Sequence, residues 1–274
     1  MKELSSFQKR ALSAFVLGPL LLWSIMSIQG EVFSLLLVLL LLPAAWEWGR
    51  LAGQTQYRPR AEYALVLIAL FYMSRFVPLE WLLSIALLWW LSALYWLRVY
   101  PERHGWLFSR MASPVVGVII LIPSWRALEL IHQQEQGVGL LFFLLLLIWG
   151  ADIGAYLAGV RFGNRKLAPK VSPGKSLEGV AGGMVASIVV ALIGYFSVGM
   201  DEITLPILLL SVVAIVVLSI VGDLVESAYK RHAGIKDSGN LIPGHGGILD
   251  RVDSLTAAAP LYLSLLILLG VVTL

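Results

Sequence analysis

Cysteine is absent from the 274 residues, which excludes disulfides, thiolate metal sites and cysteine nucleophiles. Charge is scarce, at 14% of the chain, against roughly 25% in an ordinary soluble protein. No repeat of the first half is visible in the second, which argues against a transporter built from inverted repeats. With neither His nor Cys beside it, His245 does not mark a zinc centre. What fills the chain is apolar: 59% of its residues are hydrophobic and the mean hydropathy is +0.85. Such a chain belongs in lipid, and any active site has to be assembled from helix ends and loops.

A spanning helix takes about 20 mostly apolar residues. Nine apolar stretches can be marked: Ala11 to Ile28, Val32 to Trp48, Tyr63 to Ser74, Trp81 to Leu97, Pro114 to Ile131, Val138 to Val160, Leu177 to Val198, Leu205 to Gly222 and Leu255 to Leu274. The third is short. The first follows Lys9 and Arg10 like a secretory signal, but its length and the lack of a small-x-small cleavage site favour a retained helix. With nine spans and the N-terminus inside, every one of the 20 basic residues except Arg75 and Arg126 falls on the cytosolic face. The other face carries Glu31, Glu80, Glu135, Asp201 and Glu202. Removing one span would invert every later loop and destroy this bias. The expected fold is therefore an all-α integral membrane protein of about nine transmembrane helices, N-terminus cytosolic and C-terminus on the opposite side. Residues 1–131 form an N-terminal membrane region of about five spans. Residues 132–274 form a catalytic region of about four, bracketing two polar cytosolic loops.

The first chemical constellation runs from Asp223 to Asp253. No helix breaker follows the eighth span until Gly234, so that helix is expected to run on into the cytosol, with Asp223, Glu226, Ser227 and Lys230 on one face and Arg231 beside them. The loop Lys236-Asp237-Ser-Gly239 to Gly244-His245-Gly246-Gly247 has glycines that let backbone N–H groups approach an anion. A new helix near Ile248 then carries Asp250, Asp253 and Ser254 on one face, with Arg251 between them. Consecutive helices would be antiparallel, so Asp223 and Asp250 can meet at one depth. Hard carboxylates among lysines and arginines suit a polyphosphate with Mg²⁺ or Mn²⁺. For Lys230 and Arg231 alone, a basic pair flanking a span explains as much, and His245 alone can be a loop hydrogen-bonding residue.

The second constellation begins inside the sixth span, where Asp152 and Tyr156 lie one turn apart among Gly150, Ala151, Gly154 and Ala155. A carboxylate about 12 Å from the helix end faces either a polar cavity or a helix-to-helix hydrogen bond. The loop that follows runs Arg165-Lys166 to Lys170, then Ser172-Pro-Gly174-Lys175-Ser176-Leu-Glu178-Gly179. Its ending looks like a P-loop, but Pro169 stands where the earlier glycine is required and no strand is expected before it, so a Walker motif is rejected. Arg165, Lys166 and Lys170 could equally be charges drawn to lipid headgroups, whereas Ser172, Lys175, Ser176 and Glu178 suit nucleotide or phosphate contact.

The run Ser227-x-x-Lys230-Arg231-x4-Lys236-Asp237-x-Gly239-x2-Ile242-Pro243-Gly244-His245-Gly246-Gly247-x2-Asp250-Arg251-x-Asp253 resembles the signature of the phosphatidate cytidylyltransferase, or CDP-diacylglycerol synthase, family. The Asp152-x-x-Ala-Tyr156 helix and the Ser172-Pro-x-Lys175-Ser176-x-Glu178-Gly179 loop resemble that family's second marked region. The resemblance implies CMP transfer from CTP to phosphatidate, giving CDP-diacylglycerol and pyrophosphate for phospholipid synthesis. It implies metal binding by Asp223 and Asp250, a catalytic group completed by Lys236, Asp237, Arg251 and Asp253, and an active site facing the cytosol in the inner membrane. Asp152, Tyr156, Ser172, Lys175, Ser176, Glu178, Ser227, Lys230, Arg231, His245, Gly246 and Gly247 are the candidates for substrate binding. The expected partners are CTP and membrane phosphatidate, with no nucleic acid, and a homodimer on the family's precedent alone. Two other readings remain: a CTP-dependent lipid kinase acting on a polyprenol-type alcohol, and an ion-coupled transporter, which would leave the glycine-rich loop without a purpose.

Overall fold

The computed structural model describes residues 6–102, 105–198, 203–242 and 244–273. Lys2, Arg103, Asp201 and Glu202 of the charge pattern, Pro243 of the glycine-rich run and Leu274 lie outside the described residues. Among the described residues the apolar stretches form nine α-helices: α1 Ser6–Ser27, α2 Gly30–Leu51, α3 Tyr57–Met73, α4 Leu79–Val99, α5 Ala112–His132, α6 Gly137–Phe162, α7 Leu177–Val198, α8 Leu205–His232 and α9 Leu249–Leu268. Seven of them, α2 and α4 to α9, are long and apolar enough to cross a membrane. The chain is thus a multi-pass, all-α membrane protein. α3 has 17 residues and starts earlier than the apolar stretch, because Pro59 is tolerated in a first turn and Arg58 pairs with Glu62 at 2.8 Å. α9 stops at Leu268: Gly270 turns left-handed at φ 71°, and the Val271 and Val272 N–H groups cap it on the Leu266 carbonyl.

One expectation needs correction. The loop after α6 is not irregular throughout: β1, Lys166–Ala168, pairs antiparallel with β2, Ser172–Ser176. Pairing satisfies backbone groups of a segment that lies over helix ends and tucks Val171 inside. Gly174, Lys175 and Ser176 therefore sit on a strand, where none was expected, and that strand runs straight into α7 with no intervening phosphate loop.

α5 lies at the centre. Trp125 donates its indole N–H to the Leu37 carbonyl of α2 at 2.7 Å, and Ser124 donates to the Thr256 carbonyl of α9 at 2.5 Å. At the start of α2 the buried Glu129 accepts from Ser34, Arg75 and Arg126. These two arginines are the exceptions to the charge bias, and Glu129 together with Glu31, 3.0 Å from Arg75, balances their charge. At the other end of α2, about 20 Å away along 13 residues, Glu47 faces the start of α9.

α6 and α7 approach through small residues. A Cβ on Gly154 would stand 2.5 Å from the Gly182 carbonyl oxygen, and one on Gly182 would overlap the Ala158 methyl group. In lipid such close backbone packing substitutes for the hydrophobic drive available in water. Gly182→Leu should therefore separate the pair, and the purified variant should show a lowered melting temperature and early aggregation on size-exclusion chromatography. A wild-type melting profile would contradict this packing.

Candidate active site

α8 has 28 residues, a length of about 42 Å against a hydrocarbon core of about 30 Å. Its last turns therefore project beyond the apolar layer before Gly234, at φ 70°, ends the run. Gly222 lies against Asp253, where an added Cβ would stand 2.5 Å from the Asp253 carbonyl oxygen. Lys230, two turns on, reaches Asp250 at 2.7 Å. α8 and α9 are therefore antiparallel, with Asp223 level with Asp253 and Asp250 about 4.5 Å further toward the loop.

Asp223 accepts a hydrogen bond from Ser227 at 3.1 Å and pairs with Lys175 of β2 at 2.6 Å, its side chain 28% exposed. Asp253 bears on Asp223 as a like charge. Asp152, across on α6, feels Asp223 as a like charge and Lys175 and Arg251 as opposite ones. Asp250 is held differently. It accepts from Lys230 at 2.7 Å, from the Ser238 backbone N–H and hydroxyl at 2.9 Å each, and from the Gly247 N–H at 2.8 Å. Lys230 also pairs with the buried Glu226 at 3.0 Å. So Asp223 and Asp250 lie on the same wall, but each faces its own lysine.

The glycines of the loop have a specific employment. A Cβ on Gly239 or Gly247 would overlap the Glu47 carboxylate, and one on Gly246, at φ 86°, would stand 2.6 Å from Asp250 Oδ2. The close approach these glycines permit is to two of the protein's own carboxylates. Glu47 accepts from the Leu249 N–H at 2.8 Å and the Ile248 N–H at 3.2 Å and shares the single Ser238 hydroxyl proton, 3.0 Å away, with Asp250, tying the loop and the first turn of α9 to α2. Glu47 does not follow from the motifs of the sequence, but the rule that singles out Asp152, a carboxylate inside an apolar stretch, marks it within Val32 to Trp48.

α6, β2, α7, α8 and α9 together line a cavity of about 210 Å³ whose polar lining includes Asp152, Tyr156, Lys175, Ser176, Ser219 and Ser254. The structure thus joins the two constellations through Lys175. Other expected residues have architectural partners. Ser176 caps α7 by accepting the Gly179 N–H at 3.1 Å. Glu178 accepts from the Asn164 and Arg165 backbone N–H groups at 3.2 and 3.1 Å and from Arg165 Nε at 2.9 Å, clamping the base of the hairpin. Arg231 donates to the Val171 carbonyl at 3.3 Å. Lys236, Asp237 and Arg251 are exposed and Ser172 is half-buried. His245 is half-buried, its backbone N–H donating to the Ile242 carbonyl at 2.9 Å.

The donor set suits a hard divalent cation. Asp223 and Asp250 offer carboxylate oxygens on one wall, and Asp253 and Asp152 each add a like charge against Asp223, a repulsion that a bound cation relieves and that the Lys175 ammonium relieves in part. Among the described residues no three Asp, Glu, His or Cys side chains form a closed metal cage. Mg²⁺ does not need one, since it is commonly held by one or two carboxylates together with substrate phosphates and water.

Residues 8–269 match the model of the family described as "Cytidylyltransferase family". A phosphatidate cytidylyltransferase of Pseudomonas aeruginosa is 43% identical over 263 residues, covering 94% of this chain and 96% of the relative. Proteins of the same name from Haemophilus influenzae and Brucella suis are 38% and 35% identical, with 93% and 94% of this chain and 96% and 92% of the relative covered.

Proposed function

Since this chain belongs to the cytidylyltransferase family, we propose that it transfers CMP from CTP to phosphatidate, releasing CDP-diacylglycerol and pyrophosphate, at the wall formed by β2, α6, α8 and α9. A phosphatidate oxygen bonds to the α-phosphorus of CTP, the bond from that phosphorus to the bridging oxygen breaks, and the electron pair leaves with pyrophosphate. The observation that carries this reading is the placement of Lys175, Asp223 and Asp253 at one helix end, beside a cavity walled by transmembrane helices. A lipid phosphate and a soluble nucleotide can meet only at such an interface.

Asp223 and Asp250 would hold Mg²⁺ or Mn²⁺ with the CTP phosphates, with Asp253 beside Asp223. The metal's contribution is to neutralise charge on the transferring and leaving phosphates. Lys175, drawn off Asp223, turns to a phosphate oxygen, and Lys230 holds Asp250 in place from behind. Phosphatidate is already an anionic nucleophile, so no residue need remove a proton from it. Arg251, Lys236 and Arg231, on the exposed side, collect the two anionic substrates against their mutual repulsion.

The finer topology belongs to the same proposal. α1 and α3 complete nine spans, with the N-terminus and the active site cytosolic, the C-terminus opposite and the protein in the inner membrane. Residues 132–274 carry the chemistry, residues 1–131 brace it through Glu47, and the protein acts as a homodimer without nucleic acid. The charge bias supports the topology, since both arginines that break it are ion-paired, Arg126 with Glu129 and Arg75 with Glu129 and Glu31, near the start of α2. Product analysis tests the reaction. Pyrophosphate should appear in step with CTP consumption, whereas stoichiometric CDP would identify a lipid kinase instead.

A further inference from the structure

A second concavity, of about 510 Å³, opens near the same end of α8, walled by the turn after α2, the start of α3, residues 108–110 and the residues that end α8. Arg50, Arg60, Arg110 and His232 reach it, and among the described residues no carboxylate lines it. Neither the Arg50 nor the Arg110 side chain has a hydrogen bond or ion pair among the described residues. Arg60 is fixed: its guanidinium lies 4.3 Å from the centre of the Trp46 ring and donates to the Trp46 carbonyl at 3.1 and 3.0 Å. Arg50 acts on it as a like charge, more strongly than Glu47 acts as an opposite one. His232 stacks on Phe108 at 4.6 Å. The chain turns left-handed at Gly53, φ 80°, and the Arg110 side chain passes 3.8 Å from where a Cβ would stand there.

Arginines that merely follow the charge bias of a membrane face spread over it and take lipid phosphates singly. Here three converge on one hollow, one locked onto a ring and two without an ion-pair partner, which leaves a preorganised site lacking only an anion. We propose that this cleft binds a phosphate group, either the headgroup of an anionic phospholipid or a free phosphate. Its volume leaves room for the rest of a headgroup. Binding here is independent of the proposed reaction, because no group assigned to catalysis lines the cleft. The site is nevertheless mechanically close to that wall. Arg50 follows Glu47 by one helical turn, and Ala233 and Ile235, which line the cleft, lead directly to Ser238.

The test is native mass spectrometry of the full chain in neutral detergent, titrated separately with phosphatidylglycerol, zwitterionic phosphatidylcholine and inorganic phosphate. At about tenfold for each arginine-to-phosphate hydrogen bond, removing two should weaken affinity about a hundredfold. Arg50→Gln/Arg110→Gln should therefore shed one bound phosphatidylglycerol or phosphate that the unmodified protein retains, while Arg50→Lys/Arg110→Lys falls between. Both positions are exposed, so melting temperatures should stay unchanged without ligand. Displacement of phosphatidylglycerol by inorganic phosphate would identify a soluble anion as the occupant, and its persistence a lipid headgroup. Equal occupancy in the unmodified and Gln proteins, or phosphatidylcholine bound as tightly as phosphatidylglycerol, would overturn the proposal.

Discussion

Asp223→Asn is expected to reduce turnover by about 10³-fold or more while leaving the melting temperature of the protein in detergent within a few degrees. The magnitude is that of removing a charged group acting directly on transferring phosphates. The retained fold follows from the environment: Asp223 is partly exposed and its partners are Lys175 and Ser227, both able to turn to solvent. Asp250→Asn should be equally inactive but should also melt earlier. Its carboxylate is almost fully covered and accepts from Lys230, Ser238 and Gly247, and an amide there would point N–H groups at donors. Turnover and melting curves on the two purified variants separate these signatures. Near-normal turnover from either would refute the metal assignment.

Glu47→Ala should be the most damaging change in the N-terminal half. It strands the Ile248 and Leu249 N–H groups, each orphaned buried group costing about 1–3 kcal/mol, while the Ser238 hydroxyl keeps Asp250 as its acceptor. It also empties the space that Gly239 and Gly247 are shaped around. The expected result is a loss on the order of several kcal/mol in stability and at least about 100-fold in turnover, because a shift of about 1 Å at a reacting group costs that much. Glu47→Gln keeps one acceptor oxygen and should fall between. An alanine variant with unaltered melting and turnover would show that the loop is held by other contacts.

Much of this was legible in the sequence. Hydropathy located the helices, and the i, i+4 spacing of Asp223, Ser227 and Glu226, Lys230 anticipated contacts that the helix makes. The hairpin was not legible: β1 and β2 are short, and their residues, with Pro173 among them, carry no alternating apolar pattern. The glycines were recognisable as points of close approach, but sequence could not say to what, because Glu47 lies about 200 residues away from Gly247 and Leu249. Ser176 and Glu178 invited a phosphate reading although a hydroxyl and an acid just ahead of an apolar run are also a helix-start signal. The level of Asp253 beside Asp223 depended on the seating of Gly222, a packing detail that periodicity does not fix.

The destination of the cytidine is the decisive observable. The protein, reconstituted with phosphatidate and Mg²⁺ and supplied with CTP labelled in the cytosine ring, should move label into the lipid phase, and Asp223→Asn should not. Label that stays in the aqueous phase as CDP while the lipid gains only a phosphate would contradict cytidylyl transfer.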